Sequence, residues 1–353
     1  MDLKQIEIND LLNSKKKFML IDVRSPSEYE EFHIPGAVNL PLFSNEERAE
    51  VGTLYKQKGP EYAKVRGIEI FSHKLSAFYQ EVRALTREAE QTVIYCWRGG
   101  MRSKSVANFM TVMGVVCWQL VGGIRSFRKL VTEQLCAFSQ EKKPFVVIEG
   151  YTGSRKTDIL KQLDDKGYPV IDLEGLAAHR GSIFGSVGLR PKSQKAFECG
   201  LWQRLLALKD APYYIIEGES KRIGRVVLPS FINEGKERGE HIMIDYPFKL
   251  RIEAILEEYR PNENKEAINE AFSHLKKYLQ PPLLEELAVA LENEKYELFI
   301  SYLLERYYDP RYRHKLKNYP RESKYLSMTS VDEGTEGVET ILHNLFDTVS
   351  SLR

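Results

Sequence analysis

At 353 residues the chain exceeds one ordinary domain, and two or three are expected. Its 51 Lys+Arg against 50 Asp+Glu leave a net charge of +1, which excludes an indiscriminate polyanion binder and a disordered charged tail. A content of 42% hydrophobic and 11% aromatic residues is enough for real cores.

The N-terminal MDLKQIEIND lacks the apolar centre of a signal peptide. FMLIDVRS (18–25) is a short apolar run ending in Asp and Arg, the pattern of a parallel strand with a polar C-terminal end. HIPGAVNLPL adds a loop and a short strand, and residues 61–90 read as helical. QTVIYC (91–96) is a β-branched strand, Arg102–Met113 a helix, and VVCWQLVGG a strand and turn. The run Ser105–Ile124 has twenty residues without a charge, but its polar residues and glycines make it a buried helix and strand rather than a membrane span. No membrane partner is expected. Residues 1–135 thus form one α/β unit and residues 136–144 a polar linker. FVVIEG (145–150), YYIIEGES (213–220) and HIMIDYP (241–247) are strands of a second α/β unit over 145–250. Residues 251–353 turn helical and read as an extension of it. Cys96, Cys117, Cys136 and Cys199 make no CxxC pair, so the chain reads as reduced and cytoplasmic.

The near-zero charge is unevenly spread. Arg98–Lys129 holds six basic residues and no acidic one, and Arg180–Arg225 nine basic against four acidic. Arg251–Glu305 reverses to six basic and twelve acidic. Arg306–Lys324 returns to seven basic and two acidic, interleaved with Tyr307, Tyr308, Tyr312 and Tyr319, a pattern that suits base stacking and phosphate contact or, equally, a packed helix end. Together the clusters favour an anionic partner.

After QTVIYC comes WRGGMRSKS, so Cys96 ends a strand, two glycines free the backbone, and a helix starts near Arg102. Backbone N–H groups of such a loop form an anion-sized nest, and the helix N-terminus favours a thiolate. Arg98 and Arg102 add full charge, making Cys96, Arg98 and Arg102 the candidate catalytic set. The other three cysteines lack this setting and read as inert. With Asp22, Arg24, His33, Pro35, Gly36 and Ala37, the loop resembles the rhodanese family over about the first 130 residues. That resemblance implies a persulfide-forming role for Cys96 and a structural one for the signature around His33. The Cys-x5-Arg spacing is one residue longer than the usual sulfurtransferase loop and is shared with cysteine phosphatases; the roomier cradle suits a phosphate-sized or selenium-bearing anion.

FVVIEGYTGSRKT is a strand, a turn and a helix start that nearly fits G-x-x-x-x-G-K-[ST]. Gly150, Thr152, Gly153, Ser154, Lys156 and Thr157 are the candidate phosphate-binding residues, with Lys156 neutralising phosphate and Thr157 meeting Mg²⁺. Arg155 replaces the expected glycine. It either crowds a nucleoside triphosphate or adds charge for a diphosphate; a non-binding relic is the alternative. Glu217, Glu219 and Asp245 end strands, where carboxylates hold a metal, orient water or are merely solvated.

DLEGLAAHRGSIFG (172–185), QKAFE (194–198), ESKRIG (219–224) and YYDPRY (307–312), in this order with CWRGGMRS and the phosphate loop, resemble the tRNA 2-selenouridine synthase family over nearly the whole chain. The resemblance implies an N-terminal rhodanese-like domain joined to a C-terminal P-loop NTPase-like parallel-sheet domain with a helical extension. It implies that a tRNA carrying 2-thiouridine at the wobble position is S-geranylated by geranyl diphosphate and then selenated by selenophosphate, with no tightly bound cofactor and a selenophosphate-supplying enzyme as partner. Arg155, His179, Arg180, Glu219, Lys221 and Arg222 are candidates for diphosphate or tRNA contact. Two other classes compete: an ATP-dependent tRNA sulfurtransferase using a Cys96 persulfide, and an RNA-binding regulatory module with an inactive P-loop.

Overall fold

A computed structural model describes residues 3–316 and 323–350. The chain divides into two units, residues 1–137 and 138–353.

In the first unit the strands are β1 (Lys4–Ile6), β2 (Phe18–Asp22), β3 (Val38–Asn39), β4 (Gln91–Tyr95) and β5 (Cys117–Leu120). They form a parallel sheet in the order β1-β5-β4-β2-β3. Ile21, Val93, Ile94 and Tyr95 are fully buried, as expected of strands covered on both faces. The covering helices meet the sheet through Phe78 and Val82 on one segment and Val106 and Met110 on another. Register pairs Asp22 with Tyr95, so the polar ends of β2 and β4 emerge at the same edge, one residue short of Cys96.

Just beyond that edge Asp22 and Arg24 form a buried pair, 0% and 1% exposed. The Arg24 guanidinium donates to both Asp22 oxygens at 2.5–3.0 Å and to the Phe32 carbonyl at 2.6 Å. The Arg24 backbone N–H adds a further bond to Asp22 Oδ1. His33 stacks on Tyr29 with ring centroids 3.9 Å apart, and its Nδ1 lies 2.9 Å from the Tyr29 carbonyl. These contacts tie the end of β2 to the segment that leads into β3.

In the second unit β6 (Phe145–Gly150), β7 (Val170–Ile171), β8 (Tyr214–Glu217), β11 (Glu240–Asp245) and β12 (Lys324–Ser327) form a sheet in the order β12-β11-β6-β8-β7, with parallel pairing throughout. A short antiparallel pair, β9 (Arg222–Ile223) and β10 (Val226–Val227), projects after β8. All six residues of β6 are buried, which marks the centre of the sheet.

Two features differ from the sequence reading. The helix Ile124–Phe138 runs into the stretch expected to be linker. The region after residue 250 is helical as far as Leu316, but Lys324–Ser327 then returns to the sheet, pairing Ile242 with Lys324 and Asp245 with Ser327. Those four residues carry no strong apolar pattern, so nothing local announces an edge strand. Among the described residues no helix is long and apolar enough to cross a membrane.

Removing one member of a buried charge pair strands the other. Arg24→Met should therefore destabilise the first unit by about 3–5 kcal/mol, and the double change Asp22→Leu with Arg24→Met by less than Arg24→Met alone. Denaturant unfolding of the three chains measures the difference; a double variant weaker than Arg24→Met would refute the charge argument.

Candidate functional site

The first candidate centre lies where β4 meets the helix Met101–Val112. Cys96 is 3% exposed, and its Sγ lies 3.2 Å from the Ser103 hydroxyl. Ser103 is fully buried and receives a bond from Gln119 Nε2 at 3.0 Å; the same amide donates to the Gly99 carbonyl at 2.7 Å. Gln119 thus ties the far side of the loop to the hydroxyl beside the thiol. Behind the loop, Gly123 has φ +59°, and a Cβ there would stand 2.2 Å from the Cys96 carbonyl oxygen.

The two arginines predicted beside Cys96 differ. Arg102 is bonded to Glu28, Nη1 to Oε2 at 2.7 Å and Nη2 to Oε1 at 3.3 Å. Burial pushes the Glu28 carboxyl up, but hydrogen bonding and charge from Arg102 outweigh this and hold it below its ordinary range. Arg98 is exposed, as are Lys104, Arg125 and Lys129 of the same basic run. Of the other cysteines, burial pushes the Cys117 thiol up to about 12, which suits an inert core residue.

The second candidate centre is the loop between β6 and the helix Lys156–Asp165. It lines a cleft of about 740 Å³, to which Gly150 and Thr152 through Thr157 contribute together with Ala254, Ile255 and residues 257–260. Lys156 Nζ donates to the Gly150 carbonyl at 2.9 Å, and Thr157 Oγ1 donates to Glu174 Oε2 at 3.3 Å. Ser154 Oγ is buried with no hydrogen-bond partner. Arg155 takes the left-handed conformation, φ 59° and ψ 21°, that a glycine would accept without strain. Its guanidinium is drawn to Glu257 and, at 3.2 Å, to Asp158. Arg155 thus adopts the backbone conformation a glycine would favour, and its charge is paired with these two carboxylates.

The loop is held from behind. Arg251, 4% exposed, donates Nε to the Thr152 carbonyl at 2.9 Å and makes two bonds to Asp309 at 2.6 and 3.0 Å. The Gly150 N–H donates to the Tyr312 hydroxyl at 2.8 Å, and that hydroxyl donates to Glu149 Oε2 at 2.5 Å. His241 Nδ1 lies 3.4 Å from the other Glu149 oxygen.

Glu174 and Glu219 also line the cleft, whereas Glu217 and Asp245 do not. Glu217 Oε1 accepts from the Glu174 N–H at 2.5 Å, while Oε2 is buried without a hydrogen-bond partner. Burial first, and then the charges of Glu219 and Glu217, push the Glu174 carboxyl well above its ordinary range; burial and then Asp172 do the same for Glu217. Asp245 is exposed and accepts from Ser327 Oγ at 3.3 Å, so the three strand-end carboxylates do not converge. Among the described residues there is no cluster of three His, Cys, Asp or Glu arranged to hold a metal ion.

The remaining predicted contacts separate. Arg180 lines the cleft, bonded to Glu258 at 2.6 Å and to the Val187 carbonyl at 2.7 Å. Glu219 lines it too. His179 does not: its ring sits between Gly185 and Gly224, where any Cβ would approach within 2.6 Å, and burial lowers its pKa. Lys221 and Arg222 are exposed on the β9–β10 projection and do not line the cleft. The tyrosines of the basic segment, open to stacking or to helix packing from the sequence, divide between the two settings. Tyr307 is 8% exposed beneath Arg311, Tyr308 lines the cleft and Tyr312 braces the phosphate loop. Tyr319 lies outside the described residues.

A family model described as the rhodanese-like domain matches residues 5–130, and one described as the tRNA 2-selenouridine synthase AAA domain matches residues 143–288. A protein named tRNA 2-selenouridine synthase from Bdellovibrio bacteriovorus is 36% identical over 274 residues, 75% of this chain and 70% of that one. The chain belongs to the tRNA 2-selenouridine synthase family. Proteins of the same name from Nitrosomonas eutropha and Nitrosomonas europaea are 39% and 36% identical over 244 residues. Those matches cover 68% of this chain and 62% and 63% of the relatives, less than two thirds of their length.

In this family member, sequence reasoning missed the residues that reach a motif from elsewhere: Ser103 and Gln119 at the thiol, Glu28 on Arg102, and Glu174, Arg251, Asp309 and Tyr312 at the phosphate loop. Only Ser103 carried a local signal, one turn into the helix after the cysteine loop.

Two outcomes are expected. Gly123→Ala meets backbone rather than a movable side chain and should cost about 2–4 kcal/mol, measured by thermal unfolding. The folded state keeps a proton on Glu217 that the unfolded chain releases above about pH 4.3. The stability from this group is therefore present below that pH and is lost as pH rises through the folded pKa. Glu217→Gln should flatten the fall of Tm between about pH 5 and pH 8 and raise Tm at pH 8; a slope equal to that of the parent chain would refute the assignment.

Proposed function

We propose that this protein is a tRNA-modifying transferase that converts wobble 2-thiouridine to 2-selenouridine through an S-geranyl intermediate. The observation that carries the reading is a phosphate loop whose Lys156 and Thr157 line a large cleft, in one chain with a Cys96 loop that bears the exposed Arg98. The relatives' shared name supports tRNA and selenium as the substrate classes.

In the first step the 2-thiouridine sulfur gives an electron pair to C1 of geranyl diphosphate, and the C–O bond breaks. Diphosphate leaves with that bond's pair, and the base loses its N3 proton. Lys156, the loop N–H groups and the Ser154 hydroxyl stabilise the departing charge, where preorganised donors contribute most. Thr157 and Glu174 are the residues that would hold a Mg²⁺, which would supply further positive charge to the departing diphosphate. Alkylation turns the sulfur into a leaving group.

In the second step the Cys96 thiolate takes the phosphoryl group of selenophosphate and releases selenide, whose electron pair adds at C2 of the base. Geranyl thiol then departs with a proton, and water returns the phosphocysteine to thiol and phosphate. Ser103 orients the sulfur, and Arg98 is the cation free to meet the incoming anion. Selenophosphate arrives from a separate supplying enzyme, and the exposed bases at 98, 104, 125 and 129 attract the tRNA backbone.

Nucleoside mass spectrometry of 2-thiouridine tRNA, incubated with geranyl diphosphate and selenophosphate separately and together, tests this. Cys96→Ser should abolish selenation and leave geranylation within about twofold. Lys156→Ala should slow geranylation by about 10–100-fold. Neither modified nucleoside from folded protein would overturn the reading. ATP hydrolysis dependent on Lys156 would indicate a sulfurtransferase instead, and tRNA binding without any modification a regulatory module.

A further inference from the structure

Beside the phosphate cleft lies a second cavity of different chemistry. Its walls are Phe184, Ile255, Ile268, Phe299, Ile300 and Leu303, contributed by helices of the region after β11 and by the loop ahead of the helix Gln194–Ala207. Thr152, Ser182, Ile255, Tyr259 and Tyr308 line both this cavity and the cleft, so the two are continuous at that collar. Ile255 is the hinge of the arrangement, because its side chain also packs where a Cβ on Gly153 of the phosphate loop would lie.

We propose that this cavity holds the hydrocarbon tail of a prenyl diphosphate whose anionic end sits in the phosphate loop. The assignment rests on the function proposed above and names the residues that select its alkyl donor. Three observations carry it. The hydroxyls of Ser182, Tyr259 and Tyr308 are gathered at the collar, with Ser182 Oγ 3.4 Å from the Tyr259 hydroxyl, and beyond them the walls are hydrocarbon. A nucleobase placed beyond the collar would find no partners for its ring donors and acceptors among the apolar walls, whereas an isoprenoid chain has none to satisfy. The space is also narrow, about 50 Å³, which suits a flexible methyl-branched chain better than a rigid fused ring.

The far wall sets the length. Phe299 lines the cavity but not the cleft, meets Phe184 edge-on at 6.1 Å, and is backed by Phe272 at 5.5 Å. A chain entering at the collar ends against this aromatic stack. The π-helical turn Leu304–Tyr308 follows directly, and both Leu304 and Tyr308 line the cavity.

The test uses the full chain and compares geranyl diphosphate with inorganic diphosphate by calorimetry, then follows tRNA alkylation by geranyl and farnesyl diphosphate. The parent chain should bind geranyl diphosphate at least tenfold more tightly than inorganic diphosphate, with a more negative heat-capacity change. Ile300→Trp, which fills the cavity, should remove that advantage while leaving inorganic diphosphate affinity within twofold. Phe299→Leu, which opens the far wall, should shift the farnesyl-to-geranyl alkylation ratio at least fivefold toward farnesyl; it serves alone if Ile300→Trp does not fold. Equal binding of the two ligands by the parent chain, or variants that change both ligands equally or neither, would overturn the cavity assignment. If the parent chain geranylates tRNA and the variants do so unchanged, the cavity is wrong and the proposed function stands. If the parent chain never geranylates, the function falls and this assignment with it.

Discussion

The architecture of the second unit turns on one buried guanidinium. Arg251 leaves water to bond Asp309 with two nitrogens and the Thr152 carbonyl with the third, and its face lies 5.0 Å from the Tyr151 ring centre. A buried charge is tolerable only when its donors are met, and here all three nitrogens have partners. Each partner belongs to a different part of the unit. The carbonyl is in the phosphate loop, the carboxylate begins the helix Asp309–Leu316, and the arginine sits on the helix Phe248–Tyr259 whose Ile255 packs against Gly153. Movement of any one of these strands a charge, so the loop is locked to the helical layer rather than merely resting on it. Tyr312, three residues after Asp309, uses that lock to reach the Gly150 N–H.

Arg155 shows how a motif position can change its residue and keep its geometry. The left-handed backbone there costs a non-glycine residue about 1–2 kcal/mol. Glu257 and Asp158 hold the guanidinium aside and offset part of that cost, while their charges cancel the one the substitution added. The side chain lines the cleft but is turned toward two helix carboxylates, so neither its bulk nor its charge is aimed at the cradle in this structure.

Features whose cause is local were readable in the sequence. β6 and its loop, β4 with Cys96, and the α/β alternation all follow from short apolar runs meeting glycine-bearing turns. Family resemblance extended this to the domain pair. What escaped depends on packing across many residues. No spacing links Glu28 to Arg102, Glu174 to Thr157, or Tyr312 to Gly150, yet each closes a hydrogen-bond requirement of a motif. The tyrosine-rich basic segment was open to two readings because aromatic residues beside cations look alike whether they face a nucleic acid or a core; Tyr307 is buried, while Tyr308 and Tyr312 line the cleft. Asp245 ends a strand at the ligand edge, and the neighbouring strand whose Ser327 donates to it, β12, was not visible in the sequence.

That same strand has a consequence for how the protein is made. β11 and β12 are adjacent and parallel, so the chain between them is a single crossover enlarged to hold the whole helical layer from Phe248 to Leu316. Ile242 finds Lys324 only after that layer has been synthesised. During translation the sheet therefore emerges with β11 as an open edge, a surface prone to pairing with other chains. Closing that edge requires the layer carrying Arg251, Asp309 and the apolar cavity to fold between the two strands, so completion of the sheet acts as a check, built into the order of synthesis, that the layer is in place.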